Sequence, residues 1–374
     1  MSNIIVLGAG MVGRTIAKDL SKVHNVTSVD VSDSNLNLLA KFPNIKTIKS
    51  NLNNPDTVKY LVKDYDIVIG AVPGFMGFKT LKAVIEAGKN IVDISFFPED
   101  CFELDDLAKA NNVTAIVDCG VAPGMSNLIL GYYNKRMTVS DFLCYVGGLP
   151  FERKLYFQYK APFSPIDVLE EYTREARYVE NGHLVIKPAL SDAEIINFEG
   201  IGSLEAFNTD GLRSLIKTMN IPNMKEKTLR YPGHIDLIKA LKSAGFMSEE
   251  VIEMNNQSIK PIDFTAQILF KDWKLEPSDD EFTVMKIEIS GVLNDKKQTI
   301  TYNLFDRKDF QNDDSSMSRT TGFACTAAVE LVLSGKFNRK GVSPPEFIGE
   351  DEDCFNFMLD YQAERGVKYI KSVM

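Results

Sequence analysis

The chain opens on an apolar strand, Asn3 to Leu7, that runs into Gly8-Ala9-Gly10-Met11-Val12-Gly13 and then into a helix from Met11 to Lys22. This strand, glycine turn and helix constrain the fold more than any other segment. Gly8 permits the tight turn, Gly10 lets a pyrophosphate approach the backbone, and Gly13 lets the helix pack close to the strand. Val12, Ile16 and Leu20 share one helix face, as expected of a helix laid on a sheet. A second strand, Val26 to Asp30, ends in a carboxylate. The pattern predicts a dinucleotide-binding α/β unit; its alternative is a structural glycine turn in a domain without cofactor. The free N–H groups and positive dipole end of the helix, at Met11 and Val12, suit the phosphates.

Asp30 bears on which dinucleotide is bound. Its carboxylate can accept hydrogen bonds from both ribose hydroxyls of NAD. A 2′-phosphate about 4 Å away would cost about 4 kcal/mol at an effective dielectric of about 20. The next residues are Val31, Ser32 and Asp33, with no Arg among them. NAD is therefore expected over NADP. The alternative role for Asp30 is to cap the following helix.

Further βα units follow. Strands are expected at Ile45 to Ile48, Asp66 to Val72, Asn90 to Ile94 and Val113 to Asp118, with helices near Asp56 to Val62, Phe78 to Ala87 and Leu104 to Ala110. Strands that are apolar throughout suit a parallel sheet covered by helices on both faces. Six strands alternating with helices predict a Rossmann-type, doubly wound parallel sheet. The pattern changes after about Asn127. A longer strand is expected from Asp141 to Gly148, and Phe282 to Gly291 with Gln298 to Phe305 form a hairpin around Asn294-Asp295. Met285, Ile287 and Ile289 alternate with Lys286, Glu288 and Ser290, so the second domain is expected to be α+β with a mixed or antiparallel sheet. The apolar helix Thr321 to Leu333 must be buried and is expected to return to the first domain. The expected division is residues 1–127 plus 320–374 for the cofactor domain and 128–319 for a substrate and dimerisation domain.

A chain of 374 residues with 44% apolar residues supports two cores. Its net charge of −9 argues against general nucleic-acid binding. No apolar run is long enough to span a membrane, and the first apolar run is the β-strand itself, so a cytoplasmic protein is expected. Cys101, Cys119, Cys144, Cys325 and Cys354 lack CxxC spacing, and His24, His183 and His234 lack metal-ligand spacing. Reduced thiols and no metal are expected, with Cys119 placed beside a candidate active-site loop.

In an open α/β sheet the ligand lies beyond the carboxyl ends of the strands. Asn51, Val72-Pro73 and Asp93 stand there, as does Asp118-Cys119-Gly120-Val121-Ala122-Pro123-Gly124. The last segment is again a strand, a glycine-proline loop and a helix; the alternative is a plain domain-crossing turn.

The glycine turn, the Asp118 to Gly124 loop and Tyr145-Val146-Gly147-Gly148-Leu149-Pro150 together resemble the saccharopine dehydrogenase family. Leu204-Glu205-Ala206-Phe207-Asn208-Thr209-Asp210-Gly211 and Thr228-Leu229-Arg230-Tyr231-Pro232-Gly233-His234 extend the resemblance over nearly the whole chain. Glu171-Tyr172-Thr173-Arg174, Asn181-Gly182 and Pro188-Ala189-Leu190-Ser191 resemble the lysine 6-dehydrogenase branch; Asp210 also resembles the glutamate-forming saccharopine reductases. The resemblance implies hydride transfer to NAD from a carbon bearing nitrogen in an amino acid, with lysine ahead of saccharopine, in a homodimer. A non-catalytic NAD(H)-binding sensor or scaffold is the reading from another class.

Such a site must hold a carboxylate, deprotonate an ammonium and place carbon against nicotinamide. Arg230 is the candidate for the carboxylate, because its planar fork matches that group; Arg213 and Lys160 are alternatives. His234, just before a helix from Ile235 to Ala244, is the candidate base. Asp118 and Glu205 are candidates for the ammonium, with Thr209, Tyr231 and Gly124 beside them. Tyr159 and Lys160 are candidate cleft residues; in Tyr156-Phe157-Gln158-Tyr159-Lys160, Tyr156 and Lys160 match the Tyr-x-x-x-Lys spacing of short-chain dehydrogenases. The segment follows a Gly-Gly-Leu-Pro turn outside the six-strand block, so that family's mechanism is not expected. Each of these residues also has a structural alternative, as ion pair, cap or core.

Overall fold

The computed structural model describes residues 1–154, 156–162 and 165–374. Six strands open the chain: β1 (Asn3–Leu7), β2 (Asn25–Asp30), β3 (Ile45–Lys49), β4 (Ile67–Gly70), β5 (Asn90–Asp93) and β6 (Thr114–Ile116). Between and after them lie α1 (Met11–Leu20), α2 (Asp33–Asn37), α3 (Pro55–Val62), α4 (Gly74–Glu86), α5 (Asp105–Ala110) and α6 (Met125–Asn134). Local chemistry sets the boundaries. Asn54 caps α3 by accepting from the Asp56 N–H, with Pro55 at the first helical position.

The second unit has β7 (Thr138–Pro150), α7 (Pro165–Thr173), β8 (Ala176–Glu180), β9 (His183–Lys187), β10 (Glu194–Phe198), β11 (Gly202–Asn208), α8 (Leu215–Thr218) and β12 (Asn223–Arg230). It continues through α9 (His234–Ser243), β13 (Ile252–Met254), β14 (Gln257–Ile259), α10 (Pro261–Trp273), β15 (Glu281–Leu293) and β16 (Lys296–Arg307). The chain ends with α11 (Ser316–Leu333), β17 (Gly341–Ser343), α12 (Pro345–Gly349), α13 (Glu352–Glu364) and β18 (Tyr369–Val373).

The first sheet is parallel, in the order β17-β6-β5-β4-β1-β2-β3. It is Rossmann-like, as expected, with one strand more than the six foreseen: β17 adds beside β6. The chain builds outward on one side through β2 and β3, and on the other through β4, β5 and β6. The crevice at that reversal, between β1 and β4, is where open α/β sheets bind ligands. The second sheet is mixed, with β7 and β12 parallel and its other pairings antiparallel. In the β15–β16 hairpin Leu293 pairs with Lys296, and the two intervening residues, Asn294 and Asp295, have φ of 51° and 60°. Positive φ at both positions is the geometry that matches strand twist in a two-residue hairpin.

α11 begins at Ser316 rather than Thr321 and lies on α1. Phe323, Ala324, Ala327 and Ala328 share a core with Ile16, Ala17 and Leu20, and Thr326 Oγ1 donates to Asp19. One expectation is corrected at the C-terminus. Residues 369–373 join the second sheet, so the 320–374 segment does not belong wholly with the first. β18 covers the outer edge of β16 from Ile300 to Leu304. Among the described residues no helix is long and apolar enough to cross a membrane.

Candidate active site

The glycine turn is fixed by backbone contact. A Cβ on Gly8 would fall 2.2 Å from the Ala71 carbonyl oxygen, and one on Gly13 would fall 2.1 Å from the Gly8 oxygen. Gly10 differs, since a Cβ there meets nothing within 4 Å; the space in front of it belongs to the cleft. Gly10 is also the N-cap of α1 and supplies no side-chain cap. The first N–H groups of the helix are left for an external acceptor. Asp30 secures the turn, with Oδ2 accepting from the Ala9 N–H at 2.7 Å and Oδ1 from the Ser32 N–H at 2.8 Å. The cap of α2 is Ser32, not Asp30. These features fit a dinucleotide: an uncapped helix end, an open glycine and a carboxylate with spare lone pairs.

One cleft of about 1110 Å³ runs from this turn between the two sheets. Gly8, Gly10, Met11, Val12, Gly13, Asp30, Asn51, Val72 and Pro73 line its outer part. Asp118, Tyr159, Thr209 and Arg230 line its inner part. The expected residues Asp93, Gly124, Lys160, Glu205, Arg213, Tyr231 and His234 are not on its wall.

Carboxylates dominate the inner end. Asp118, Asp167, Glu170, Glu171, Asp210 and Glu226 line it, against Arg174 and Arg230. Each nearby arginine is already paired. Arg230 meets Glu171 at 2.6 Å, Arg174 meets Glu170, Arg177 meets Asp210 at 2.8 Å, and Arg213 meets Asp118 at 3.0 Å. The Arg230 fork is nearly filled. It donates to Tyr172 Oη at 3.0 Å, to the Leu229 carbonyl at 2.9 Å and to Tyr159 Oη at 3.4 Å, besides Glu171. The expectation that this fork lies open to a substrate carboxylate is corrected: Glu171 occupies it. Arg213 is equally committed, donating to Asp118 and, through Nη1 at 2.6 Å, to the Phe97 carbonyl. Asp118 and Arg213 both hold positive φ, 52° and 51°, and their buried ion pair fixes that backbone across the strand ends. Asp118 is therefore a partner of Arg213 rather than an open ammonium site.

His234 sits behind the wall. It is fully buried in a cage of Phe157, Tyr159, Tyr172 and Trp273. One ring nitrogen contacts Tyr172 Oη at 2.9 Å and the other the Phe157 carbonyl at 2.8 Å. Burial, with the Arg230 charge beside it, pushes its pKa down to about 3. It is a neutral strut under the Tyr172–Arg230 network, and its expected role as base is corrected. The other absentees are tied similarly. Lys160 Nζ donates to the Asp272 and Lys274 carbonyls, and Tyr231 Oη to the Pro150 carbonyl. Glu205 accepts from the Gly233 N–H. Asp93 accepts from the Ser95 N–H and hydroxyl, and burial pushes its carboxyl up to about 8. A Cβ on Gly124 would meet the Gly120 oxygen at 1.9 Å, so it shapes the loop. Cys119 is buried and burial pushes its thiol up, which withholds thiolate chemistry. Thr209 does face the cleft, bonded to Thr228 at 3.0 Å.

The sequence reading missed Glu226 as a site residue, and Arg174 stood in it as the end of the Glu171 to Arg174 motif. Glu226, Thr228 and Arg230 share the cleft face of β12 at a spacing of two residues. That alternation was the available signal. Glu226 is 5% exposed and its Oε2 has no partner among the described residues. Burial, with Glu171, Asp210 and Asp118 nearby, pushes its carboxyl up to about 8.

Comparison with known proteins covers both sheets. A model described as the saccharopine dehydrogenase NADP binding domain matches residues 4–116, and one described as the saccharopine dehydrogenase C-terminal domain matches residues 120–367. Carboxyaminopropylagmatine dehydrogenase of Synechocystis sp. is 23% identical over 380 residues, which span 94% of each chain. Saccharopine dehydrogenase (NADP+, L-glutamate-forming) of Pyricularia oryzae is 22% identical over 419 residues, spanning 92% of this chain and 93% of that one. Among solved structures, apo saccharopine dehydrogenase (L-Glu forming) from Saccharomyces cerevisiae superimposes with a TM-score of 0.80 at 19% identity, covering 100% of both chains; that likeness is one of fold.

Proposed function

The chain belongs to the saccharopine dehydrogenase family of oxidoreductases, and on that premise we propose that it oxidises the CH–N group of an amino acid, L-lysine at its ε-carbon. The observation that carries the choice of substrate is the charge of the inner cleft. Six carboxyl groups line it, four of them ion-paired with arginines, so no arginine there is left without a carboxylate partner. Saccharopine would bring three carboxylates, each needing a cation, and burying an unpaired carboxylate is costly. Lysine brings one carboxylate and two ammonium groups, which this wall suits.

Once bound, the nicotinamide supplies a hydride acceptor. The residues of the chain orient and enclose. The glycine turn and α1 end suit the pyrophosphate, and Asp30 suits the ribose. The Glu171–Arg230–Tyr172–His234 network stiffens the wall against which the substrate lies, and orientation of this kind is a large share of such catalysis. Loss of one proton from the ε-ammonium and of a hydride from the ε-carbon leaves an iminium, which water hydrolyses to an aldehyde and ammonium; the aldehyde is able to cyclise onto the α-amine.

The test is NADH formation, followed by absorbance, with lysine alone and with saccharopine alone. Turnover of lysine is expected. Turnover of saccharopine alone would replace the substrate, and turnover of neither, with NADH still bound, would favour the sensor or scaffold reading. NAD is proposed over NADP on the strength of Asp30, although the matched domain and the Pyricularia relative are both described as NADP proteins. Arg14 also lines the cleft near Asp30, donating to the Ala9 carbonyl at 3.0 Å. The ratio of kcat/KM for the two cofactors decides between the two charges. The proposal includes a cytoplasmic homodimer, to be tested by fractionation and sedimentation.

A further inference from the structure

Most buried polar atoms of this protein are satisfied. Among the described residues, two of the exceptions belong to the cleft wall: Glu226 Oε2 and Arg174 Nη1. They are of opposite charge. Each lies in the field of Arg213 and Asp210, so they serve the same end of the cleft. A buried carboxyl or guanidinium N–H left without a partner costs free energy that folding alone does not repay. Such an atom beside a cavity is completed by water or by a ligand.

The surroundings of Glu226 are shaped around its carboxyl. A Cβ on Gly211 would fall 1.7 Å from Glu226 Oε1, so glycine there makes its room. β12 holds it on the face that also carries Thr228 and Arg230. The neighbouring cations do not reach it, since Arg213 is spent on Asp118 and Arg230 on Glu171. Arg174 is anchored from one side only. Its Nη2 bonds to Glu170, and its guanidinium lies over the Phe96 ring, 4.9 Å from the centroid. That leaves Nη1 for an acceptor.

We propose that Glu226 and Arg174 are the two poles that recognise the substrate, Glu226 receiving an ammonium group and Arg174 the carboxylate. The pair specifies a zwitterionic amino acid carrying an amine. This deepens the lysine reading and rests on it. The ammonium has two sources in lysine, the α- and ε-amines, and the choice of probes separates them.

The experiment uses the full chain as wild type, Glu226→Gln and Arg174→Gln. The probes are L-lysine, 6-aminohexanoate (no α-amine) and cadaverine (no carboxylate). Glu226→Gln is expected to raise the KM for lysine at least tenfold with the KM for cofactor unchanged. Arg174→Gln is expected to do the same for lysine and leave cadaverine turnover where it was. If 6-aminohexanoate is untouched by Glu226→Gln, the α-ammonium sits on Glu226; if it suffers equally, the ε-ammonium does. A lysine KM within twofold of wild type in folded Glu226→Gln overturns the proposal. So does an Arg174→Gln variant that weakens cadaverine as much as lysine. NADH titration and thermal melting establish that each variant is folded. Should Glu226→Gln not fold, Glu226→Asp, which retracts the charge by one methylene, is expected to raise the lysine KM as well. A wild type inert on lysine is a separate failure, that of the substrate reading. Calorimetry of cadaverine binding to the NADH complex then tests the Glu226 pole: loss of heat in Glu226→Gln supports it, and undiminished binding overturns the proposal.

Discussion

Gly10 separates what the glycine turn does for the fold from what it does for the cofactor. Its φ of −63° and ψ of −173° are open to any residue, and a Cβ there would meet nothing within 4 Å. Gly10→Ala is therefore expected to leave the free protein intact, or to stabilise it by about 0.4–1 kcal/mol through the unfolded chain. The space the methyl enters is the one a pyrophosphate needs if it is to touch this turn. Displacing the phosphates would remove about one charge-assisted hydrogen bond, worth about 1.5–3 kcal/mol. At about 1.4 kcal/mol per tenfold, the Kd for NADH should rise by roughly 10- to 100-fold. Gly13→Ala is the contrast, because its Cβ would lie 2.1 Å from the Gly8 carbonyl oxygen. Both groups are backbone, so α1 must shift, and both stability and binding should fall, stability by about 1–3 kcal/mol. Fluorescence titration with NADH and urea denaturation read the two quantities separately. If Gly10→Ala binds NADH within twofold of wild type, the pyrophosphate does not lie on this turn and the reasoning fails.

Three further outcomes follow from the same geometry. Arg213→Ala leaves Asp118 buried without its partner and should cost about 3–5 kcal/mol in urea denaturation; a loss under about 1 kcal/mol would mean that water replaces the guanidinium. His234 has a pKa pushed down to about 3 against an ordinary 6.5, so below pH 6.5 the unfolded chain takes up a proton that the native protein refuses. Its contribution is full above pH 6.5, and stability falls by about 1.4 kcal/mol per pH unit as pH drops below it; in a folded His234→Asn variant that slope should shrink by one proton, and an unchanged slope refutes the neutral strut. Asp30→Ser removes the carboxylate set against a 2′-phosphate and leaves Arg14 beside the site, so the NAD to NADP ratio of kcat/KM should fall at least tenfold; an unmoved ratio would place cofactor choice elsewhere.

The first sheet was legible because its signals are local. An apolar run, a glycine turn and a 3.6-residue stripe lie within about a dozen residues of each other, and Asn54-Pro55 and Asn294-Asp295 fix a helix start and a hairpin turn by their own backbone preferences. β17 was missed because three residues carry no period. β18 was not foreseen as a strand, and its residues were grouped with the first domain, because only its pairing with β16 shows where it belongs.

The site was harder for a related reason: its chemistry is set by partners far apart in sequence. Arg230 and His234 are the residue types that a carboxylate clamp and a base require, and nothing within ten residues shows that they are spoken for. Arg230 is claimed by Glu171, 59 positions away, and Arg213 by Asp118, 95 positions away. His234 is claimed by Tyr172, 62 positions away. A group already paired across the fold is a wall, and the residue left over by all that pairing is the one with chemistry to offer a ligand. Glu226 is such a residue, because Gly211 makes room for it and the arginines around it are taken. Residue type could nominate Arg230 and His234; only the tally of partners, made in three dimensions, passes over them for Glu226 and the Nη1 edge of Arg174.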